Sequence, residues 1–365
     1  TWLQRSRDLP LDISLHELDH SEDTLSITVG ILSLLIGHAH RWKAINFSFS
    51  RGVPWVLQNT LQSNSLCVLE SAEIISCDSD SFGFLENYLP SLEKAWGIIH
   101  GAPSLRKGKW DLHYLYHRIH SVPWNQLTSI DVAVSINALL ALLPSCQNLV
   151  DLRFCDPEEG CRDIFYLPPE LKSYTPPTSE LDDQITLPHL RTLSMKVSQT
   201  PADPIIQRLT LPSLTSFSII QYQNSDGPSL YDDLWSRSRC RLQRFSLTDY
   251  SEEAEAWLLR TLASPALESL VELTVDSTHG SMIGLVPFLT YRDGTTYLPR
   301  LQKLALAHCK APPGAYIHMV RSRLSKTENS SVLRHIRIAL YHRDQVERDD
   351  FRQLAAEGAI RVESI

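Results

Sequence analysis

A short apolar pattern, Leu-x-x-Leu-x-Leu, recurs along most of this 365-residue chain and restricts the folds that it can adopt. Its copies are spaced 19 to 36 residues apart, and the average of about 26 lies within the roughly 20–29-residue period of leucine-rich repeats. The clear copies open at Trp42, Leu69, Leu127, Leu149, Leu190, Leu214, Leu242, Leu270, Leu301 and Leu333, and the copies at Leu105 and Leu171 are degenerate. This many copies in phase indicate a repeat protein.

Each copy predicts a strand, because its second and third apolar positions alternate with polar residues as a strand with one buried face requires. The segments between the copies are amphipathic and predict helices over residues 25–38, 82–99, 136–143, 252–262, 283–289 and 315–324. One strand and one helix cannot bury their own apolar faces, whereas stacked units can. We therefore predict an α/β leucine-rich-repeat solenoid of roughly 12 to 14 irregular repeats, with a curved parallel β-sheet inside and helices outside.

The repeat phase also predicts which residues form the core of the sheet. The following residues are expected to be buried on strands: Ile45, Ile74, Ile130, Leu152, Leu193, Phe217, Phe245, Leu273, Leu304 and Ile336. We expect a single solenoid over residues 1–365, with an N-terminal edge and first repeat at 1–41, main repeats at 42–341 and a C-terminal cap at 342–365. Solenoid ends need polar caps, so the apolar Trp2 and Leu3 suggest that the chain begins inside a longer gene product with a preceding domain.

Charge and hydropathy narrow the classes of partner. The 34 Lys and Arg residues against 42 Asp and Glu give a net charge of −8, without the general basic excess of a nucleic-acid binder. The longest apolar run, residues 29–36, is far shorter than the ~20 residues that cross a bilayer. We therefore expect neither nucleic acid nor a membrane as a partner.

The seven cysteines are odd in number and scattered, so we expect reduced thiols and a cytoplasmic or nuclear location. Cys77 and Cys309 occupy the position after the strand where leucine-rich repeats place Asn or Cys. Both are expected to be buried structural residues whose side chains bond to the backbone.

No catalytic motif emerges from the sequence, and we expect a protein that is not an enzyme and has no cofactor. Phosphate-binding loops, dinucleotide-binding turns and nucleophile elbows are absent. The pairs His16/His20 and His113/His117 have helical metal-ligand spacing, but neither has a third ligand at a recognisable offset, so no metal site is predicted.

Three short motifs, one of which recurs, resemble those of the F-box proteins of mushroom-forming (agaricomycete) fungi. They are Trp-Leu-Gln-Arg-Ser at residues 2–6 with Leu-Pro-Leu-x-Ile-x-Leu at 9–15, His-Ala-His-Arg-Trp at 38–42, and Leu-Pro-x-Leu-x-x-Leu or its Phe-ending variant at 187–193, 211–217 and 298–304. The resemblance implies a short N-terminal helix followed by a strand. It also implies the substrate-recognition arm of an F-box subunit of a cullin–RING ubiquitin ligase, with an unknown protein substrate as partner.

The F-box itself, which would bind the ligase adaptor, does not precede Trp2 in this sequence. Residues 167–171, Leu-Pro-Pro-Glu-Leu, resemble the beginning of an F-box. Pro176 and Pro177 follow, however, and prevent a continuing helix. Adaptor binding is therefore implied for a parent protein. The alternative is a leucine-rich-repeat interaction scaffold with no ubiquitin-ligase link.

Polar residues between the buried strand positions would face the concave side of a solenoid. Four cations among them, Arg153, Lys196, Arg244 and Arg337, are predicted to bind protein, because Arg is enriched at interface hot spots and cations attract an acidic segment. The alternative is that each cation pairs with a strand acid, for example Arg153 with Asp131 or Asp151, and contributes only ~0–1 kcal/mol. Solvated strand faces are polar by default, so the remaining positions need touch only water.

Overall fold

The structure is a computed structural model that describes residues 2–17, 22–49, 53–62, 65–76, 91, 93–110, 122–156, 184–197, 202–221, 229–249, 254–277, 282–291, 297–324, 333–339, 345–357 and 361–364. The chain divides into two compact units, Thr1–Pro176 (unit 1) and Pro177–Ile365 (unit 2). In the described part of the chain, no helix is both long and apolar enough to cross a membrane.

Unit 1 contains a parallel sheet whose described strands lie side by side in sequence order. The strands are β1 (Leu11–His16), β2 (Trp42–Phe49), β3 (Ser71–Ser76), β4 (Lys107–Trp110), β5 (Ser129–Ala133) and β6 (Asp151–Cys155). The helices are α1 (Trp2–Arg5), α2 (Glu22–Ile36), α3 (Val53–Thr60) and α4 (Ile136–Leu142), with further helical residues at 93–100 and 3-10 turns at Ala39–Arg41, Trp124–Gln126 and Leu143–Ser145.

Unit 2 repeats this arrangement. Its strands are β7 (Ile185–Thr186), β8 (Thr192–Val197), β9 (Leu209–Thr210), β10 (Ser216–Gln221), β11 (Arg244–Asp249), β12 (Glu272–Ser277), β13 (Lys303–Ala307), β14 (His335–Ile338) and β15 (Arg361–Ser364). β8 and β10 to β15 form a parallel sheet in sequence order, and β7 pairs with β9 separately. The helices are α5 (Asp203–Arg208), α6 (Ser229–Ser238), α7 (Ala254–Leu262), α8 (Leu285–Leu289), α9 (Ala315–Leu324) and α10 (Gln345–Ala356), with a 3-10 turn at Pro265–Leu267.

The predicted repeat phase is confirmed for the strands. All ten residues predicted for the sheet core lie on strands, and none is more than 3% exposed. In unit 2 the second apolar positions stand directly opposite one another across the sheet: Leu193, Phe217, Phe245, Leu273, Leu304 and Ile336. One face of the sheet is therefore buried along its length, and the alternate residues point to the opposite face.

A repeated backbone arrangement joins each repeat to the one before it. The N–H groups of Gln243 and Arg244 both donate to the carbonyl oxygen of Thr215, at 2.8 and 3.0 Å. The same pair of bonds recurs at the entrances to β4, β5, β6, β10, β12, β13 and β14. Chain segments that are far apart in sequence thus share one local geometry, which is what stacking of equivalent units produces.

Side chains just before the opening leucine add a second link between repeats. Ser213 donates from its hydroxyl to the carbonyl oxygen of Pro188 at 2.6 Å, and Ser269 donates to Leu242 at 2.7 Å. In unit 1, Asn148 donates to the carbonyl oxygen of Asn125 at 2.6 Å. These bonds satisfy backbone carbonyls in the turns, and the apolar pattern alone does not reveal them.

Helices pack their aromatic and aliphatic side chains on the buried face of the sheet. Phe217 of β10 meets Trp235 of α6 edge to face, with ring centroids 5.4 Å apart, and Tyr231 of α6 stacks on Trp257 of α7 at 4.9 Å. Such pairs contribute beyond their buried area because the ring quadrupoles are complementary.

Each of the six predicted helices overlaps helical residues of the structure. The predicted helix at 315–324 matches α9, and those at 25–38, 136–143, 252–262 and 283–289 correspond to α2, α4, α7 and α8 with shifted ends. Of the predicted helix at 82–99, residues 93–99 are helical and 82–90 lie outside the described residues. The sequence did not predict α3, α5, α6 or α10, which are between 6 and 12 residues long.

The region predicted to be a C-terminal cap, residues 342–365, contains a helix and a strand. After α10, β15 pairs with β14 in parallel, so residues 345–364 add one further helix–strand unit. The expectation of one solenoid over residues 1–365 stays a prediction, because residues 157–183 lie outside the part of the chain that the structure describes.

Candidate functional site

The candidate site lies on the exposed face of the unit 2 sheet, called here the open face. Its middle row consists of side chains that stand opposite one another on successive strands: Ser194, Ser218, Ser246, Thr274, Ala305 and Arg337. All except Arg337 are small and half-buried. A row of small side chains between larger neighbours leaves a shallow trough that runs across the strands.

The row beside the trough carries charge in its second half. It consists of Thr192, Ser216, Arg244, Glu272, Lys303, His335 and Arg361. This row is therefore uncharged at the β8 end and becomes charged toward β15, while on the other side of the trough the exposed Lys196 lies at the β8 end.

A pocket of about 410 Å³ opens at the charged end of the trough, over β12 to β15. Ala305 is among its lining residues, and in the register of the sheet its small methyl group stands between Thr274 and Arg337. The polar and charged side chains of the lining are Glu272, Thr274, Lys303, His335, Arg337 and Arg361.

The charged side chains that line this pocket differ in their partners. Glu272 forms an ion pair with Lys303, whose Nζ lies 3.6 Å from Oε2 of the glutamate. Arg337 is exposed and makes no hydrogen bond or ion pair with any residue that the structure describes. Arg361 adds another cation to the lining, while Glu363 is the register partner of Arg337 on β15. The pocket lining itself thus holds three permanent cations and one carboxylate.

The open face of unit 1 has a different electrostatic character. Glu73, Lys109, Asp131 and Arg153 stand opposite one another on successive strands, so that charges alternate. Nζ of Lys109 lies 2.7 Å from Oε1 of Glu73. Burial raises the pKa of Asp131, while the charges of Lys109 and Arg153 act in the opposite direction. These neighbours compensate one another's charge.

The structure places the four predicted binding cations on strands, all with exposed side chains, but does not gather them into one cluster. Arg153 belongs to unit 1 and lies beside Asp131, which favours the ion-pair alternative for this residue. Arg244 donates from Nε to the hydroxyl of Ser216 at 3.3 Å, three strands away from Arg337. Lys196 is on β8. Only Arg337 lines the pocket.

Sequence reasoning missed Arg361 as a site residue. It was assigned to the C-terminal cap, because β15 has no Leu-x-x-Leu-x-Leu copy. The available signal was weak: Arg361-Val362-Glu363 alternates charged and apolar residues, as a strand with one open face does. Lys303 and His335 were not predicted to bind protein either.

The buried thiols have structural surroundings. Cys309 is buried, its Sγ lies 3.4 Å from the carbonyl oxygen of Ala307, and burial raises the pKa of its thiol to about 12. Burial also raises the pKa of Cys146 to about 12 and that of Cys240 to about 11. The prediction for Cys309 is confirmed, and Cys77 lies outside the described residues.

The histidines of the sequence motifs are only partly described. His16 contacts the hydroxyl of Ser14 at 2.7 Å, while His20, His113 and His117 lie outside the described residues. Elsewhere, Nδ1 of His308 lies 2.7 Å from a carboxylate oxygen of Asp276. Among the described residues, no group of three or more His, Cys, Asp or Glu side chains could hold a metal ion.

Arg41, which belongs to the His-Ala-His-Arg-Trp motif at 38–42, forms hydrogen bonds to the N-terminal residues 3–9. Its buried guanidinium donates to the carbonyl oxygens of Leu9 and Leu3, at 3.0 and 3.3 Å, and to the hydroxyl of Ser6 at 2.7 Å. The expected order of a short helix and a strand is observed as α1 and β1. Leu3 is half-buried, and the side chain of Trp2 is not among those that the structure describes.

The chain matches no protein-family model and no curated protein sequence. Its class therefore follows from the fold: an α/β protein in which parallel strands and helices stack in a solenoid-like arrangement within each unit.

Proposed function

We propose that this chain is a leucine-rich-repeat domain that binds a protein on the open face of unit 2. The observation that carries the proposal is the trough of small side chains that ends in the pocket beside Arg337. The repeat type is supported by the opening leucines, which are at most 1% exposed at Leu190, Leu214, Leu242, Leu270, Leu301 and Leu333.

The dimensions of the trough fit an extended chain segment. Seven parallel strands at about 4.8 Å spacing extend over roughly 30 Å, which accommodates about nine residues of extended peptide. Small hydroxyl-bearing side chains such as Ser246 and Thr274 allow a peptide backbone to approach and offer hydrogen bonds to it. A standard interface covers about 800 Å² per partner, so such a surface suits protein recognition.

The resemblance to fungal F-box proteins extends the proposal to a cellular role. In this role the chain is the substrate-recognition arm of an F-box subunit of a cullin–RING ubiquitin ligase, located in cytoplasm or nucleus. An F-box elsewhere in the gene product would bind the adaptor, and this chain would need neither a cofactor nor catalysis of its own. The alternative is an interaction scaffold without a ligase link.

Site-specific photo-crosslinking tests protein binding at the open face. A photoreactive amino acid at Thr274 should form adducts with a partner protein in extracts of the source cells, and unlabelled wild-type chain should suppress them. The matched control places the same group at Arg260, an exposed residue of α7 in the same unit. Equal adduct yields at the two positions, or none at Thr274, would contradict binding at the open face.

The ligase role has a separate test. The full-length gene product should carry an F-box pattern and should co-purify with the adaptor subunit of the ligase, whereas the 365-residue chain alone should not. A full-length product that lacks the pattern and does not retain the adaptor leaves the scaffold alternative in place.

A further inference from the structure

We infer that the pocket beside Arg337 selects an acidic segment of the partner protein, with the carboxylate of an Asp or Glu side chain inserted over Ala305. This inference rests on the proposed function and adds the chemistry of the partner. It also adds Lys303, His335 and Arg361 to the site, which the four-cation prediction did not include.

The shape of the pocket supplies the first argument. Among the side chains of the middle row from Ser194 to Arg337, Arg337 is the longest and Ala305 is the smallest, and the row continues on β15 at Glu363. A side chain that enters between them meets the Arg337 guanidinium on one side and the hydroxyl of Thr274 on the other. A guanidinium presents a planar fork of donors that matches the two oxygens of a carboxylate.

The charge distribution supplies the second argument. Lys303 is paired with Glu272, whereas Arg337 has no partner among the described residues, so the charge of Arg337 carries this argument. The chain as a whole carries a charge of −8, whereas the pocket lining holds three permanent cations and one carboxylate. A cleft of one sign raises the local concentration of ligands of the opposite sign.

The net charge of the chain favours an acidic peptide over a nucleic acid as the ligand. A net charge of −8 repels a continuous phosphate backbone, whereas an acidic peptide segment need present only a few charges. The middle row from Ser194 to Thr274, which has no charged side chain, then accommodates the adjoining peptide backbone.

Fluorescence anisotropy with synthetic peptides tests this inference directly. The probe is a short fluorescein-labelled peptide of alternating Glu and Ser, and the comparison peptide replaces each Glu with Gln. The wild-type chain should bind the Glu peptide at least about tenfold more tightly than the Gln peptide, and the difference should shrink with added salt. No preference for Glu over Gln would overturn the inference.

Three variants localise the binding. Arg337→Gln removes the unpaired cation, and Ala305→Leu fills the pocket while it keeps every charge, so both should weaken Glu-peptide binding about tenfold or more. Arg300→Gln removes an exposed cation of the same unit that does not line the pocket, and it should bind as wild type does. Equal weakening by Arg337→Gln and Arg300→Gln would indicate unspecific charge attraction and would overturn the pocket assignment.

Two further measurements keep the outcome unambiguous. The thermal unfolding temperature of each variant should match that of wild type. If Ala305→Leu unfolds at a lower temperature, the peptide affinity of Arg337→Gln alone tests the pocket assignment. A phosphoserine version of the probe should bind no more tightly than the Glu peptide, since a strong preference for phosphate would replace the carboxylate assignment. Photo-crosslinking at Thr274 that persists in Arg337→Gln would overturn the acidic specificity and leave protein binding at the open face intact.

Discussion

The indole ring of Trp110 lies directly over Gly108, two residues earlier on β4, so closely that a Cβ at Gly108 would stand 1.9 Å from Cη2 of the ring. From there the indole donates to Nε2 of His100 at 3.0 Å and lies 5.6 Å, centroid to centroid, from both Trp96 and Trp124. This cluster explains why the copy at Leu105 is degenerate: the Trp110 ring fills the space that the second apolar side chain occupies in other repeats.

Gly108→Ala should destabilise unit 1. The added methyl group requires the Trp110 ring to move and disturbs its hydrogen bond to His100, and overpacking of this kind costs about 1–3 kcal/mol. Urea unfolding monitored by tryptophan fluorescence measures the change. The control is Gly97→Ala, on helical residues 93–100, where a Cβ meets nothing within 4 Å and Ala should be neutral or stabilising. If the two variants were equally stable, the steric account of Gly108 would be wrong.

His100 should make stability depend on pH. Burial lowers its pKa from 6.5 to about 3. Between these values the unfolded chain binds more protons at this position than the folded chain, so stability rises with pH over this range and falls as pH drops below about 6.5. From pH 7.5 to 5 this residue should account for about 2 kcal/mol of lost stability.

His100→Gln provides the comparison for that pH effect. The variant is less stable at neutral pH, but its stability should fall less steeply than that of wild type between pH 7.5 and 5 in urea unfolding. Parallel pH profiles for the two proteins would show that His100 does not titrate as its burial implies.

Leu273→Ala should cost about 2–5 kcal/mol, as truncation of a fully buried core side chain does. Leu273 is 0% exposed and stands between Phe245 and Leu304 on the neighbouring strands. Thr274→Ala, one residue further along β12 on the open face, should change stability by no more than about 0.5 kcal/mol. Chemical denaturation of both variants checks the assignment of buried and open faces, which a reversed order of stabilities would refute.

Arg323 should be a structural residue of unit 2. Its buried guanidinium donates to the carbonyl oxygens of Leu289, Tyr297 and Leu298, at 2.6, 2.9 and 3.2 Å. Arg323→Met leaves these carbonyls without their donor and should lower stability by about 2–4 kcal/mol. Arg321→Met, two residues earlier on α9, removes only an exposed ion pair with Asp350 and should cost about 0–1 kcal/mol. Thermal unfolding compares the two, and equal losses would contradict this role for Arg323.

The sequence determined the strands and their buried face, because the period-two alternation after each opening leucine leaves one set of side chains to exclude water. Leu193, Phe217 and Leu273 could therefore be placed on one buried row without coordinates. The helices were less predictable: α6 buries Tyr231, Leu234 and Trp235, but its other positions are mostly Ser, Asp and Arg, so the sequence did not indicate a buried helix there.

Only the tertiary structure decided which polar residues meet. Arg153 and Arg337 occupy equivalent positions in their copies, yet one lies beside Asp131 and the other lines a pocket with Lys303. Their surroundings come from strands 22 to 34 residues distant in sequence, and the register of those strands is fixed by backbone hydrogen bonds. A local pattern specifies which face a side chain points to, whereas its charge environment depends on neighbours that only stacking brings into contact.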